Sequence, residues 1–439
     1  MGVRAGLGCL FTLMILWAAS AEAAAPSLPV PQVDHHQHLV SPAGALLLNT
    51  PPSPDLPAEV ADLLARRAAA WNDKAALAAL FAKDALALDG FGFEWQKGAQ
   101  APEFMSRLFA RPYRLTPHSY RRDGASAHLA GYYTRGDGLE MRHFGQFYIR
   151  LRRGSGGAWT IDTEIPSFPG PQAQAPVSAE ALIAQLDAAG IRRAVILSDA
   201  YWFDAPVRGT IPADAHSKVR AENAWTLAEA AKFPGRLIPL CSFNPLAAHA
   251  LGELDRCAGT GKIRGFKLHF NTADVDLLNP EHVAKVRAVA AAANRHRLAL
   301  TIHVRGDLQV YGAAHARSFL DNVVAAAPDV PVTIAHFWGG EDYSAEALQV
   351  YADAVATRDP RTRRLYFDMA ELPRVIGTKP EALKNAAAQM RRIGLSRILF
   401  GSDGPTTAPA DAWAQFRETV PLTAAEFEAI AANVAPYLN

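Results

Sequence analysis

From residue 178 to the end of the chain, short apolar runs alternate with alanine-rich stretches whose apolar positions recur every three to four residues. The first kind reads as buried strand and the second as amphipathic helix. Strands are predicted at 193–198, 237–243, 263–270, 298–304, 330–337, 364–369 and 397–401. Helices are predicted at 178–189, 221–232, 280–294, 314–326, 345–356 and 379–393, the first opened by a Ser178 cap. One more apolar run, 28–33, lies near the start and makes eight strands. Eight near-continuously apolar strands alternating with helices predict an α/β fold, a (β/α)8 TIM barrel. An open, doubly wound sheet is the alternative.

Between the first run and the others the period changes. Pro51-Pro52-Ser53-Pro54 breaks the chain, helical patterns cover 57–70 and 71–82, and alternating strands follow at 127–133, 142–152 and 158–164. Gly136-Asp137-Gly138 and Gly154-Ser155-Gly156-Gly157 mark turns between those strands. Helices first and antiparallel strands after describe an inserted α+β unit, 51–168, with a Pro-rich return at 166–176. The barrel is then discontinuous, 24–50 and 169–439. The stretches Ala70-Trp71-Asn72-Asp73-Lys74-Ala75-Ala76-Leu77, Phe81-Ala82-Lys83-Asp84-Ala85 and Trp159-Thr160-Ile161 resemble the SnoaL-like domains. These have the cone-shaped α+β fold named for nuclear transport factor two. The resemblance implies a binding or dimerisation module, so a lid or a homodimer surface beside the barrel mouth is expected.

The first residues follow a different rule. Arg4 precedes an uncharged run, 5–21, and Ala19-Ser20-Ala21 and Ala21-Glu22-Ala23 both fit a small-residue cleavage signal. A secretory signal peptide at 1–23 is expected, since the run is short for a membrane span. The mature protein is expected in the periplasm or secreted, with no stable membrane association. A net charge of +1 with mixed signs leaves no footprint for nucleic acid. Cys241 and Cys257 remain after cleavage. Two cysteines make no disulfide scaffold, and two buried thiols are expected in preference to a bridge.

In a barrel the chemistry lies at the C-terminal ends of the strands. The first run ends in Asp34-His35-His36-Gln37-His38. His36 and His38, two apart, share a face, while His35 points away. Later runs end in Lys267-Leu268-His269, His303-Val304-Arg305, His336-Phe337, Asp368-Met369 and Gly401-Ser402-Asp403. Metal-competent side chains recurring in one phase at these strand ends point to a metal site. Asp199 and Tyr201 fit a pocket wall or a turn equally well, and Trp202 and Trp338 are expected to wall the pocket. His118, His128 and His143, in the insertion, read as surface or packing residues.

Together these ends resemble the amidohydrolase superfamily. Gly265-Phe266-Lys267-Leu268-His269 and Leu399-Phe400-Gly401-Ser402-Asp403-Gly404-Pro405 look most like its amidohydrolase-related branch. That branch mixes hydrolases with metal-dependent decarboxylases. The resemblance implies that His36, His38, His303 and Asp403 ligate a metal. Zn²⁺ suits this set, as one ion or two, with Mn²⁺, Fe²⁺ or Co²⁺ as alternatives. It also implies catalytic roles for Asp403 as proton acceptor and for His336, which would polarise the substrate, transfer a proton or bind a second metal. Lys267, His269 and Arg305 are placed as second-metal or substrate-binding groups. Lys267 would bridge two metals when carbamylated, bind a substrate anion, or pair with an acid such as Asp368. The expected activity is metal-dependent hydrolysis of an amide, lactone or ester in a small molecule. A non-oxidative decarboxylase of the aminocarboxymuconate-semialdehyde type is the alternative. A catalytically dead binding protein is disfavoured by the complete set of histidines and Asp403.

Overall fold

A computed structural model describes residues 29–88, 94–154, 156–305, 311–340 and 342–438. The expected signal peptide lies outside them. In chain order, strand β1 (Val33–Gln37) leads through the helix Pro42–Asn49 into six strands. These are β2 (Phe81–Leu88), β3 (Trp95–Lys97), β4 (Arg114–Asp123), β5 (Ser126–Arg135), β6 (Arg142–Arg153) and β7 (Trp159–Ser167). The chain returns for β8 (Arg193–Leu197), β9 (Leu237–Ser242), β10 (Gly265–His269), β11 (Ala299–His303), β12 (Val332–Ile334), β13 (Leu365–Asp368) and β14 (Ile398–Leu399).

The eight apolar runs form one parallel sheet in the order β1-β8-β9-β10-β11-β12-β13-β14. Its two edges meet. His35 N donates to Phe400 O at 2.8 Å, and Asp403 N donates to His36 O at 2.8 Å. A nearly closed eight-stranded barrel results, with helices such as Ala215–Ala231, Pro280–Arg295 and Pro380–Ile393 outside it. A main core of Val, Ile, Leu, Phe and Ala lies between sheet and helices. A smaller one, Val33, Val195, Leu197 and Leu240, packs against Val434, Tyr437 and Leu438 of the last segment.

Several strands are shorter than their apolar runs, because the backbone leaves the ladder to aim a side chain. His336, Phe337 and Asp403 take left-handed φ values of 56°, 66° and 58°. Contrary to the expectation of free thiols, Cys241 on β9 and Cys257 on the helix Ala250–Gly259 form a disulfide, with Cα atoms 6.5 Å apart. The strand-to-helix return brings them together, which their spacing alone did not reveal.

The intervening residues form a second sheet, β3-β2-β7-β6-β5-β4, with its own core. The helix expected to run through residue 82 stops at Ala78, and Phe81–Leu88 is a strand. Pairing of Phe81 with Ile161 in β7 overrides the helical propensity of the alanines. The interior holds a bidentate ion pair: Arg67 Nε and Nη2 lie 2.8 and 2.9 Å from Glu164. Tyr133 OH donates to the same carboxylate and Tyr113 OH accepts from Arg67 Nη1, so both charges are satisfied where they are buried.

Candidate metal centre

Strand register builds the site. β10 and β11 pair residue for residue, His269 opposite His303, and their rings stack at 3.9 Å. Alternation carries Lys267, two residues before His269, to the same side. His36, His38, Lys267, His269, His303, His336 and Asp403 all line one cavity of about 370 Å³ at the C-terminal strand ends. Tyr201, Trp202, Glu371, Arg374 and Thr406 complete its wall.

Each imidazole is held from behind. His36 Nδ1 lies 2.9 Å from Asp368 Oδ2, which fixes the proton there and turns Nε2 toward Asp403 Oδ1 at 3.3 Å. His38 Nδ1 approaches Asp199 Oδ1 at 2.7 Å, off the ideal hydrogen-bond direction, and its Nε2 lies 3.4 Å from Asp403 Oδ1. His336 Nδ1 donates to Ala370 O at 3.1 Å, leaving Nε2 free to accept. His269 Nδ1 accepts from Thr272 N and Oγ1, so its Nε2 carries the proton and is a donor. His303 Nε2 is buried with no hydrogen-bond partner.

The electrostatics are those of a closed set. Burial opposes ionisation of Asp403, yet the imidazoles of His36, His38 and His336 hold its carboxyl well below the usual range. Burial and the Lys267 ammonium push His36 down to about 4. For His38 burial is outweighed by Asp199 and Asp403, and its pKa rises to about 9. Burial lowers Lys267, whose Nζ lies 3.1 Å from His36 Nε2. Asp368 is not the partner of Lys267: it is taken by His36 Nδ1 and by the His336 and Ala370 amides.

Ligand atoms of His36, His336 and Asp403 lie within 4.8 Å of one another. His38 and His303 stand beside this trio in the same cavity. The donor set fits a divalent cation: several imidazoles with one nitrogen engaged from behind, a carboxylate, and the orphaned Nε2 of His303.

Two expectations are corrected. Arg305 does not line the cavity; β11 ends at His303, and the guanidinium turns to Asp274 at 2.5 Å. Trp338 is fully buried in the main core against Tyr343, while Trp202 does line the cavity. Asp199 serves His38 directly. The sequence reading missed Glu371, Arg374 and Thr406, which lie three to seven residues beyond their strands; extending the strand-end reading into those following segments was the available signal. It also gave Asp34 no role. Asp34 accepts from Ser402 Oγ (2.6 Å), Ser402 N (3.1 Å), Gln37 Nε2 (3.1 Å) and His36 N (3.2 Å), clasping the first strand to the last.

An eight-stranded parallel barrel with imidazoles and a carboxylate at its C-terminal strand ends is the architecture of a barrel enzyme. The chain belongs to the amidohydrolase family, whose model matches residues 169–434. No curated protein matches it. Among solved structures, it is similar to 5-carboxyvanillate decarboxylase from Sphingomonas paucimobilis, at 20% identity and TM-score 0.39, over 57% of this chain and 79% of that one. It is similar also to 2,6-dihydroxybenzoate decarboxylase from Rhizobium, at 18% identity and TM-score 0.39, over 56% and 84%. A third is a zinc-bound amidohydrolase from Burkholderia multivorans, at 14% identity and TM-score 0.40, over 59% and 87%.

Proposed function

We propose that the protein is a metal-dependent hydrolase of a small-molecule amide, lactone or ester, and that it works outside the cytoplasm. The observation that carries this reading is the convergence of His36, His336 and Asp403 within 4.8 Å, at the ends of different barrel strands. His36, His38, His303 and Asp403 would hold zinc, with Mn²⁺, Fe²⁺ and Co²⁺ as chemically equivalent alternatives. Such a cation, when bound, polarises a substrate oxygen and acidifies water.

The remaining work falls to side chains. Asp403, held ionised by its imidazole neighbours, takes a proton at its carboxylate and returns it to the leaving group. His336 presents a free Nε2 and His269 an Nε2–H, so the pocket offers one acceptor and one donor beside the carboxylate. Tyr201 and Trp202 give it a flat apolar side. Decarboxylation is a second reading, favoured by one feature: the buried Lys267 ammonium lines the cavity and could hold a substrate carboxylate.

Elemental analysis of the purified protein tests the metal. One or two zinc ions per chain is expected, and none after growth in metal-replete medium would overturn the reading. Asp403→Asn is expected to fold normally and lose roughly 10²- to 10⁴-fold in turnover. Normal turnover would remove Asp403 from the proton path. Release of carbon dioxide without net hydrolysis would select the second reading.

A further inference from the structure

Four parts of the chain meet at residues 47–50. The helix Pro42–Asn49 ends in an extended Thr50 with no glycine cap; Thr50 N and Oγ1 reach only Leu47 O (3.1 Å) and Leu46 O (2.7 Å), so the Asn49 and Thr50 carbonyls take outside donors. Arg208, on the loop after β8, donates from Nη2 to Leu47 O at 2.7 Å and to Thr50 O at 2.6 Å. His143 on β6, in the second sheet, donates from Nε2 to Asn49 O at 2.5 Å. Its Nδ1 takes the Thr134 hydroxyl at 2.8 Å, which fixes the tautomer. The Asn49 side chain closes on the return segment, donating to Gln174 O and accepting from Gln174 N. One helix end is thus shared between the inserted unit and the barrel mouth. The Arg208 guanidinium also lies 5.9 Å from the centre of the Trp202 ring, and Trp202 walls the cavity next to Tyr201 and His269.

We infer that Arg208 is a positioning residue that sets the Trp202 wall, and that the inserted unit acts on substrate selectivity through the chain His143–Asn49–Arg208–Trp202. The specificity clause rests on reading that cavity as the substrate pocket. The physical link is the set of carbonyls. Without the His143 donor, the buried Asn49 carbonyl is unsatisfied and the last helical turn opens. The carbonyls of Leu47 and Thr50 move with it, Arg208 loses both acceptors, and its guanidinium no longer lies over Trp202. Substrates with a broad planar group use that wall and respond most; small ones respond least.

Hydrogen–deuterium exchange of the full chain tests this without any substrate, so failure of the hydrolase reading leaves the test standing. His143→Ala and Arg208→Ala are each expected to raise exchange in segment 199–211 by about 10-fold or more, although His143 sits in a different sheet. The double variant should exceed Arg208→Ala by no more than about 2-fold, because both act on one junction. His143→Gln, which retains an N–H donor, should keep the native protection. Unchanged exchange of 199–211 in His143→Ala, or fully additive effects, overturns the proposal. Should His143→Ala fail to fold, Thr134→Val, which frees the His143 tautomer, is held to the same criterion. With a substrate in hand, Arg208→Ala should raise KM for broad substrates over small ones while kcat on the smallest holds.

Discussion

Glu222 shows how much a single buried carboxyl contributes around the site. Its Oε2 accepts from Ser41 Oγ at 2.6 Å, while Oε1 is buried without a partner. Burial raises its pKa to about 7 from an ordinary 4.5, despite the Ser41 hydrogen bond. The folded chain therefore keeps a proton that the unfolded chain releases. Stability from this group is complete below about pH 4.5 and is lost as pH rises through about 7. Up to about 3 kcal/mol is at stake. Glu222→Gln cannot ionise, so denaturant midpoints at pH 5 and pH 8 should lie closer together in the variant than in the native protein. An equal gap in both would show that Glu222 does not carry this dependence. At the same scale, Glu371, with φ of 58°, joins His336 and Asp403 among cavity residues in left-handed backbone. Such backbone is retained only where surrounding contacts over-determine it.

Elements carry the clearest record of what the chain reveals before it is folded. Barrel strands were legible because each is buried on both faces and therefore apolar throughout. Polar intrusions at their ends were legible for the same reason, and they placed His36, His38, Lys267, His269, His303, His336 and Asp403 in one cavity. Legibility stopped where the strand stopped. Arg305 was assigned by continuing a period that β11 no longer follows, and Glu371 and Arg374 lie past β13, at the N-cap and within the short helix Leu372–Ile376, where the strand period has ended. The Phe81–Leu88 strand was hidden because its reason is a partner about eighty residues away, not its own alanines. Pairing of Cys241 with Cys257 was hidden likewise, and it predicts a loss. Replacing both by alanine frees a loop with a sequence separation of 16. It should cost about 3 kcal/mol, read as a lower midpoint in urea at constant slope. An unchanged midpoint would mean that the bridge does not form in solution.

At the scale of the whole molecule, the candidate ligands come from both ends of the sheet: His36 from β1 and His38 just after it, Asp403 from just beyond β14, and His303 from β11 between. A cation bound there ties the seam as well as serving chemistry. Chelation should lower the thermal midpoint, and adding zinc back at about 1,000 times its dissociation constant should restore about 4 kcal/mol. A midpoint indifferent to chelator would place the metal, if bound, outside the barrel seam.

The clasp of Asp34 on Ser402 spans 368 residues of chain. Contacts of such long range form late, after the entropy of closing the intervening loop has been met. A ribosome must deliver the chain through Ser402 before the first strand can find the last. Until then His36 and Asp403 are strangers, and no truncated or half-made chain can assemble the cavity. A formed cavity is thereby a report on chain length: it exists only in a molecule made past Asp403, whose first strand has reached its last.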